Sequence, residues 1–375
     1  MITIKIIEAL IMNNCFDELY SKASMLVENS RNAIGAVANM LTVYANYQMG
    51  KYIVEEEQKG KDRAEYGAKV LDSLSEYLTD KYGRGFSRTN IAGMRKFYLT
   101  YKDRDTAIVQ SGITQLPDLQ KNGIVQSEIA QFTIKNGWPF SLSWTHYQVL
   151  MRIENDDERR FYEKEASESN WNVKTLKRQY NSSLYERLAL SRDKDEVMRL
   201  ANEGSVPYKP KDILRTPYVL EFTGLEDKAV YHENDLESAV LDKMQDFLLE
   251  MGKGFLFEKR QKRFVFGEKN YYLDMALYNR FLRCYVLIDF NVDELTHADL
   301  GQMQMYVNYY DRYVKRDDEN PTIGILICKE GDQELVELTL PENSNIYAQE
   351  YKLYLPDKKL LQQKLREWIE ESDNN

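Results

Sequence analysis

The hydrophobic period of this chain changes once along its length, and that change limits what it can fold into. Up to about residue 200, apolar side chains recur every three or four positions, the spacing of helices buried along one face. Ile34, Val37, Leu41 and Tyr44 form one such stripe, and Leu71, Leu74 and Leu78 form a second. Gly83 and Gly85 in KYGRGF supply a chain reversal. Ser87 then stands as an N-cap before a third helix with Ile91, Met94, Phe97 and Tyr101 on one side. Residues 103–140 are weakly periodic, with scattered Gly, Pro and Asn, and read as a long connection with one short helix. WTHYQVLMRI, DDERRFYEKEA and WNVKTLKRQYNSSLYERLAL return to the helical period.

NEGSVPYKPKDILRTP, residues 202–217, holds three prolines and little periodicity, which marks a domain boundary. Beyond it, DLESAVLDKMQDFLLEMG reads as a helix ended by Gly252. Aromatic-rich runs then read as strands: FLFEKRQKRFVF, YYLDMALYN, RCYVLIDFNV and TIGILICK, with a further strand near IYAQEYKL. The helix GQMQMYVNYYDRYV separates RCYVLIDFNV from TIGILICK, and a last helix spans 357–371. The expected fold is α+β: a helical domain over 1–201, a linker over 202–217, and an α/β domain with a central mixed sheet over 218–375.

Charge divides the chain in the same way. The whole carries −10, which speaks against a simple polyanion binder. Yet residues 1–200 hold 28 basic and 27 acidic side chains, and 201–375 hold 22 and 33. Cys15, Cys284 and Cys328 fit neither a disulfide framework nor a zinc spacing. With His146, His232 and His297 as the complete histidine set, a His-rich metal site is not expected. No apolar run approaches the roughly 18 residues of a membrane span. MITIKIIEALIM lacks the basic region and cleavage site of a signal peptide, so a reducing cytoplasm is the expected location.

Two strand-like runs each carry one acid: Asp274 in YYLDMAL and Asp289 in YVLID. A carboxylate in a buried strand is costly unless it is paired or bound to a cation. Glu237 on the preceding helix is a third acid, and Gln302 and Gln304 lie on the helix that follows. Clustered oxygens suit Mg²⁺ or Mn²⁺, ions that polarise a phosphodiester and acidify water. The competing reading has the same acids capping backbone or pairing with Arg280 and Arg283, and spacing leaves both open. His297 divides similarly between an auxiliary ligand and a helix N-terminal surface position.

Basic residues concentrate in the neutral half. Arg84, Arg88, Arg95, Lys96 and Lys102 fall in one segment without an acid, interleaved with Tyr98 and Tyr101. A turn, an N-cap and a basic helix are what a helix-turn-helix needs to grip phosphates beside a major groove. An ordinary helical hairpin with a solvated basic face is the alternative. Lys174, Lys177, Arg178 and Arg187 make a second strip. EKRQKR, with Lys259 and Arg260, reads as a basic hairpin that touches a DNA backbone or protects an edge strand.

Over residues 25 to 370 the chain resembles the YhcG family, the DUF1016 proteins. In the first part the likeness rests on YIVEEEQKGKDRAEYGAKVLDSLSEYLTDKYGRGFSRTNIAGMRKFY and on LSWTHYQVLMRI with WNVKTLKRQYNSSLYERLA. In the second it rests on ENDLESAV, FLLEMGKGFLFEKRQKR, YYLDMALYNRFLRCYVLID and GQMQMYVNYYDR. The resemblance implies a helical N-terminal domain and a restriction-endonuclease-like domain of the PD-(D/E)XK superfamily. It implies Asp274 and Asp289 as the two strand carboxylates, Glu237 as the helix acid and Gln302 as the later glutamine, with Glu237, Asp274 and Asp289 holding Mg²⁺ or Mn²⁺. The motif lysine falls on Asn291, because IDFN stands where the pattern reads I-D-x-K. Asn orients water but supplies no positive charge for the phosphate. No Lys lies between Asp289 and Val314, and the sequence leaves open whether Arg312 or Lys259 substitutes. Two functions follow from the resemblance. One is a metal-dependent DNA endonuclease, a homodimer of genome defence or mobile-element processing. The other is an inactive DNA-binding or scaffolding subunit of a restriction or defence complex.

Overall fold

The computed structural model describes residues 2–59, 64–104, 138–192, 194–226, 231–266, 268–330, 333–341 and 344–373. The chain divides into two compact units, 1–154 and 155–375. Most of the connection expected over 103–140, residues 105–137, lies outside the described residues.

The first unit is helical, with α1 (Ile2–Lys59), α2 (Ala64–Tyr82), α3 (Arg88–Tyr101) and α4 (Trp144–Leu150). α3 buries the four residues expected of it, Ile91, Met94, Phe97 and Tyr101. α1 is a helix as expected, but its buried face differs. Ile34 and Leu41 are 47% and 38% exposed, whereas Met40, Val43, Tyr47 and Val54 are buried. Close backbone approach selects that face. A Cβ at Gly50 would run into the Met94 carbonyl oxygen of α3. Tyr47, one turn away, meets Phe97 edge-on at 5.9 Å and Phe140 at 5.6 Å. Gly50→Ala gains helix propensity of about 1 kcal/mol but forces α1 and α3 apart, at about 1–3 kcal/mol or more. A lower denaturation midpoint of the full chain, with helical content retained, is the expected outcome.

The second unit begins with helices α5 (Asp156–Glu168), α6 (Val173–Asn181), α7 (Leu184–Ala189) and α8 (Lys194–Glu203). The stretch expected as a linker, 202–217, lies inside this unit. Its backbone is irregular but bonded on both sides. Arg187 donates to the Pro217 carbonyl at 2.8 Å and to Glu250 at 2.6 Å. The Glu250 carboxylate also accepts the Val219 N–H at 2.9 Å.

The chain continues through β1 (Tyr218–Val219), α9 (Glu233–Asp242), α10 (Met244–Met251), β2 (Phe255–Phe266), β3 (Lys269–Asn279) and β4 (Cys284–Glu294). It ends with α11 (His297–Tyr313), β5 (Ile323–Glu330), α12 (Gln333–Thr339), β6 (Ile346–Lys352) and α13 (Lys358–Asp373). The mixed sheet runs β1-β6-β5-β4-β3-β2. β2, β3 and β4 are antiparallel neighbours, and β4, β5, β6 and β1 are parallel. Helices cover both faces, as parallel strands require. Val286, Ile288 and Phe290 share a core with Leu236, Val240 and Phe247, while Leu287 shares the opposite core with Leu300, Met303 and Tyr306. EKRQKR is the middle of the edge strand β2 rather than a hairpin. The helix expected over DLESAVLDKMQDFLLEMG is two, α9 and α10, meeting at Lys243.

α13 is fastened through one ammonium. Lys358 lies 2.7 Å from Glu158 on α5, 2.6 Å from Glu186 on α7, and 4.2 Å from the Tyr180 ring centroid. Two buried carboxylates therefore share one cation. Burial, then Glu186, pushes Glu158 up to about 7, against the pull of Lys358 and Gln362. A carboxyl raised in the folded state contributes stability below its unfolded value, and loses that contribution as pH rises through the folded value. The decline between about pH 4 and pH 7 is expected to be on the order of 1–3 kcal/mol for this group. Glu158→Gln should flatten it, as measured by urea unfolding across that range.

Candidate active site

β3 and β4 pair from Asn279–Cys284 up to Met275–Ile288. One step beyond, Asp274 and Asp289 come together and the ladder gives way to side-chain bonds. The Asp274 N–H donates to Asp289 Oδ1 at 3.1 Å, and the Phe290 N–H donates to Asp274 Oδ2 at 2.9 Å. Neither acid can swing out easily, because Leu273, Met275, Ile288 and Phe290 on either side are locked in the cores.

Burial pushes the Asp274 carboxyl up to about 7, helped by Glu237 and Glu233 and opposed by the Phe290 N–H. Burial and the neighbouring Asp274 hold Asp289 well above the usual carboxylate range. Among the described residues, no Lys or Arg forms an ion pair with either acid. The expected alternative partners are engaged elsewhere. Arg283 binds Asp318 at 2.6 Å, and Arg280 lies over the Phe281 ring.

Amides complete the site. Gln302 of α11 donates to Asp289 Oδ2 at 3.4 Å, while Gln304 turns to Asn308. Gln261 of β2 donates to Asp274 Oδ1 at 3.3 Å, from a left-handed backbone with φ +45°. Sequence reasoning missed Gln261, which stood as one polar letter inside a basic run. Glu237 is 7% exposed and acts on Asp274 through space. Among the described residues, no three His, Cys, Asp or Glu side chains are grouped closely enough to hold a metal together. The structure thus brings Asp274 and Asp289 together and leaves Glu237 at the margin.

Asn291, at the motif-lysine position, is turned elsewhere. Its Nδ2 donates to Asp299 at 3.1 Å and its Oδ1 accepts the Asp293 N–H at 2.8 Å, tying it to the capping box of α11. His297 sits at the start of α11, bonded to the Thr339 hydroxyl at 2.9 Å. Lys259 and Arg260 are exposed on β2, and Arg312 lines a surface groove with Tyr309 and Tyr313.

The basic strips are only partly available. α2, the turn at Gly83 and Gly85, and α3 capped by Ser87 form as expected. Arg84, Lys96 and Lys102 are exposed, but Arg88 pairs with Asp72 at 2.5 Å and Arg95 with Glu57 at 2.7 Å. Lys174 and Lys177 are exposed on α6. Arg178 needs correction: its guanidinium is bonded to Glu221 at 2.8 Å and to the Val219 carbonyl, and Arg187 is wholly buried against Glu250. Four and thirteen residues on from Lys174, nothing in the letters separates a solvated cation from a buried one.

Two desolvated carboxylates facing each other without a cation form a hard-oxygen donor set that fits Mg²⁺ or Mn²⁺, ions often held by one or two carboxylates with open positions left to water and substrate. Mn²⁺ titration followed by electron paramagnetic resonance is expected to show a site weakened about tenfold or more by Asp289→Asn. Asn291→Ala should leave that affinity unchanged, since its side chain serves α11.

Residues 22–187 match the DUF1016 N-terminal domain, and residues 211–366 match the YhcG PDDEXK nuclease domain. A curated protein of Escherichia coli (strain K12), "Putative nuclease YhcG", is 34% identical over 359 residues, 93% of each chain. A solved repair endonuclease from Pyrococcus abyssi overlaps 34% of this chain and 50% of its own, at 18% identity and a TM-score of 0.23, too slight a likeness to inform the fold. Length, coverage and identity together place the chain in the YhcG family, with a nuclease domain of the PDDEXK type at its C-terminal end.

Proposed function

We propose that the protein is a divalent-metal-dependent deoxyribonuclease that hydrolyses phosphodiester bonds at Asp274 and Asp289. The observation that carries this reading is the facing of these two acids, desolvated and without a counter-cation, in a PDDEXK-type domain. A Mg²⁺ or Mn²⁺ held there supplies Lewis-acid polarisation of the phosphate and a water of lowered pKa. Gln261 hydrogen-bonds Asp274 and Gln302 hydrogen-bonds Asp289, so each carboxylate is held by one amide. Glu237 adds negative charge on the α9 side, which strengthens attraction for a cation. Exposed Lys259 and Arg260 precede Gln261, which reaches Asp274 from the edge strand, and are the candidates for the missing lysine charge. Arg84, Lys96, Lys102, Lys174 and Lys177 are the exposed cations that would meet DNA phosphates. A cytoplasmic homodimer acting on foreign or mobile DNA is the biological setting this reading carries, on the strength of the family alone.

A second reading, a DNA-binding subunit without catalysis, is favoured by one observation: Asn291 stands at the lysine position and is bonded away from the carboxylates. Supercoiled and branched DNA incubated with Mg²⁺ or Mn²⁺ decide between the two. Cleavage by the wild type that falls at least about a hundredfold in Asp274→Ala supports the enzyme. Silence in the wild type with cleavage gained in Asn291→Lys supports the binding subunit. Cleavage unchanged in Asp274→Ala removes this site from the reaction altogether.

A further inference from the structure

A cavity of about 350 Å³ lies beside α5, the segment 202–217 and the turn joining α10 to β2. Its lining comes from residues 165–281, without Asp274 or Asp289. Trp171, Leu249 and Phe281 give it an apolar side. Its charged side is partly self-neutralised, because Lys253 lies 2.7 Å from Glu165 and 2.8 Å from Glu168. Arg215 and Arg280 remain.

Arg215 is 3% exposed and has no carboxylate bonded to it. Its Nη atoms donate to the carbonyls of Asp212 at 3.2 Å, Leu214 at 3.0 Å and Met251 at 3.0 Å, while its Nε–H has no acceptor. Carbonyls satisfy hydrogen bonds but do not cancel charge, and Glu250 is bonded to Arg187 at 2.6 Å. A buried guanidinium with a spare donor and no paired anion is expensive to maintain. Gly252 keeps the cavity wall open, because a Cβ there would meet Arg215 Nη2. Arg280, exposed at the rim, lies 5.0 Å over the Phe281 ring centroid and makes a flat cationic and aromatic shelf.

We propose that this cavity binds a small anionic ligand with a flat apolar body, the chemistry that a mononucleotide and an aromatic carboxylate share. The anion neutralises the Arg215 and Arg280 side, with the exposed Arg280 guanidinium supplying the accessible donors and Arg215 the uncompensated charge behind them. The flat body lies against Phe281 and Trp171. The volume is at the lower end of small-ligand sites, which suits one ring system with one anionic group. The site is independent of the nuclease reading and stands whether or not the protein cuts DNA.

Thermal unfolding of the full chain in metal-free buffer tests it, with AMP, indole-3-carboxylate and inorganic phosphate as separate probes. A saturable rise in Tm with AMP or with indole-3-carboxylate, at about millimolar affinity or tighter, is expected, and which of the two acts identifies the source. Arg280→Ala, a change at an exposed rim residue, should weaken it about tenfold or more. Val206→Trp, which fills the cavity, should abolish it. Asp274→Asn should leave it intact, which separates this site from the carboxylate pair. The proposal is overturned if no probe raises Tm, if the rise survives undiminished in both Arg280→Ala and Val206→Trp, if phosphate alone gives the whole effect, or if Asp274→Asn removes it.

Discussion

One carboxylate, Glu250, organises the C-terminal unit. Burial alone would push its ionisation up, yet Arg187, Arg178 and the Val219 N–H more than offset that and hold it below the usual range. It is wholly buried, as is its partner Arg187. Truncating Glu250 would leave the Arg187 charge uncompensated in the interior, at about 3–5 kcal/mol. Through this centre α7, the proline-rich segment, β1 and α10 are fixed to one another. Strand β1 has two residues, too few to hold a sheet edge by its ladder alone, and Glu250 reaches its backbone directly.

The carboxylate pair shows the same desolvation with the opposite outcome. Asp274 and Asp289 are also largely withdrawn from water, though less completely than Glu250, and the groups around them are amides and other acids. A buried acid that finds guanidinium becomes a structural anchor, and one that finds only another acid awaits a proton or a cation. Within one domain the chain uses burial both ways. The difference lies in which neighbours the fold delivers.

Much of this was legible in the letters. The period change marked where helices give way to a sheet, and YYLDMAL and YVLID marked the two strands whose acids meet. Gly83, Gly85 and Ser87 announced the turn and cap before α3. Other features depended on three-dimensional partners that no local pattern encodes. Ile34 and Leu41 fit a helical stripe as well as Met40 and Val43 do, and the choice was made by Met94 of another helix approaching Gly50. Arg178 looked like its solvated neighbour Lys177 until Glu221 and Glu250 came into reach. Prolines in 202–217 announced irregular backbone correctly, but irregular backbone is not the same as an independent hinge. Gln261 acquired its place from a kink in an edge strand, which its basic neighbours did not signal.

The position of Arg187 bears on how such a protein can be assembled from parts. It lies at the last residue of the stretch that matches the N-terminal family domain, yet its partner Glu250 belongs to the nuclease domain. A recombination joint placed at the apparent border between the two homology regions would exchange one half of a buried ion pair without the other. A joint near residue 154, where the packing divides, would carry both halves together. For this architecture the unit of inheritance set by physics therefore begins earlier than the unit drawn from sequence likeness, and the helices between the two borders travel with the sheet.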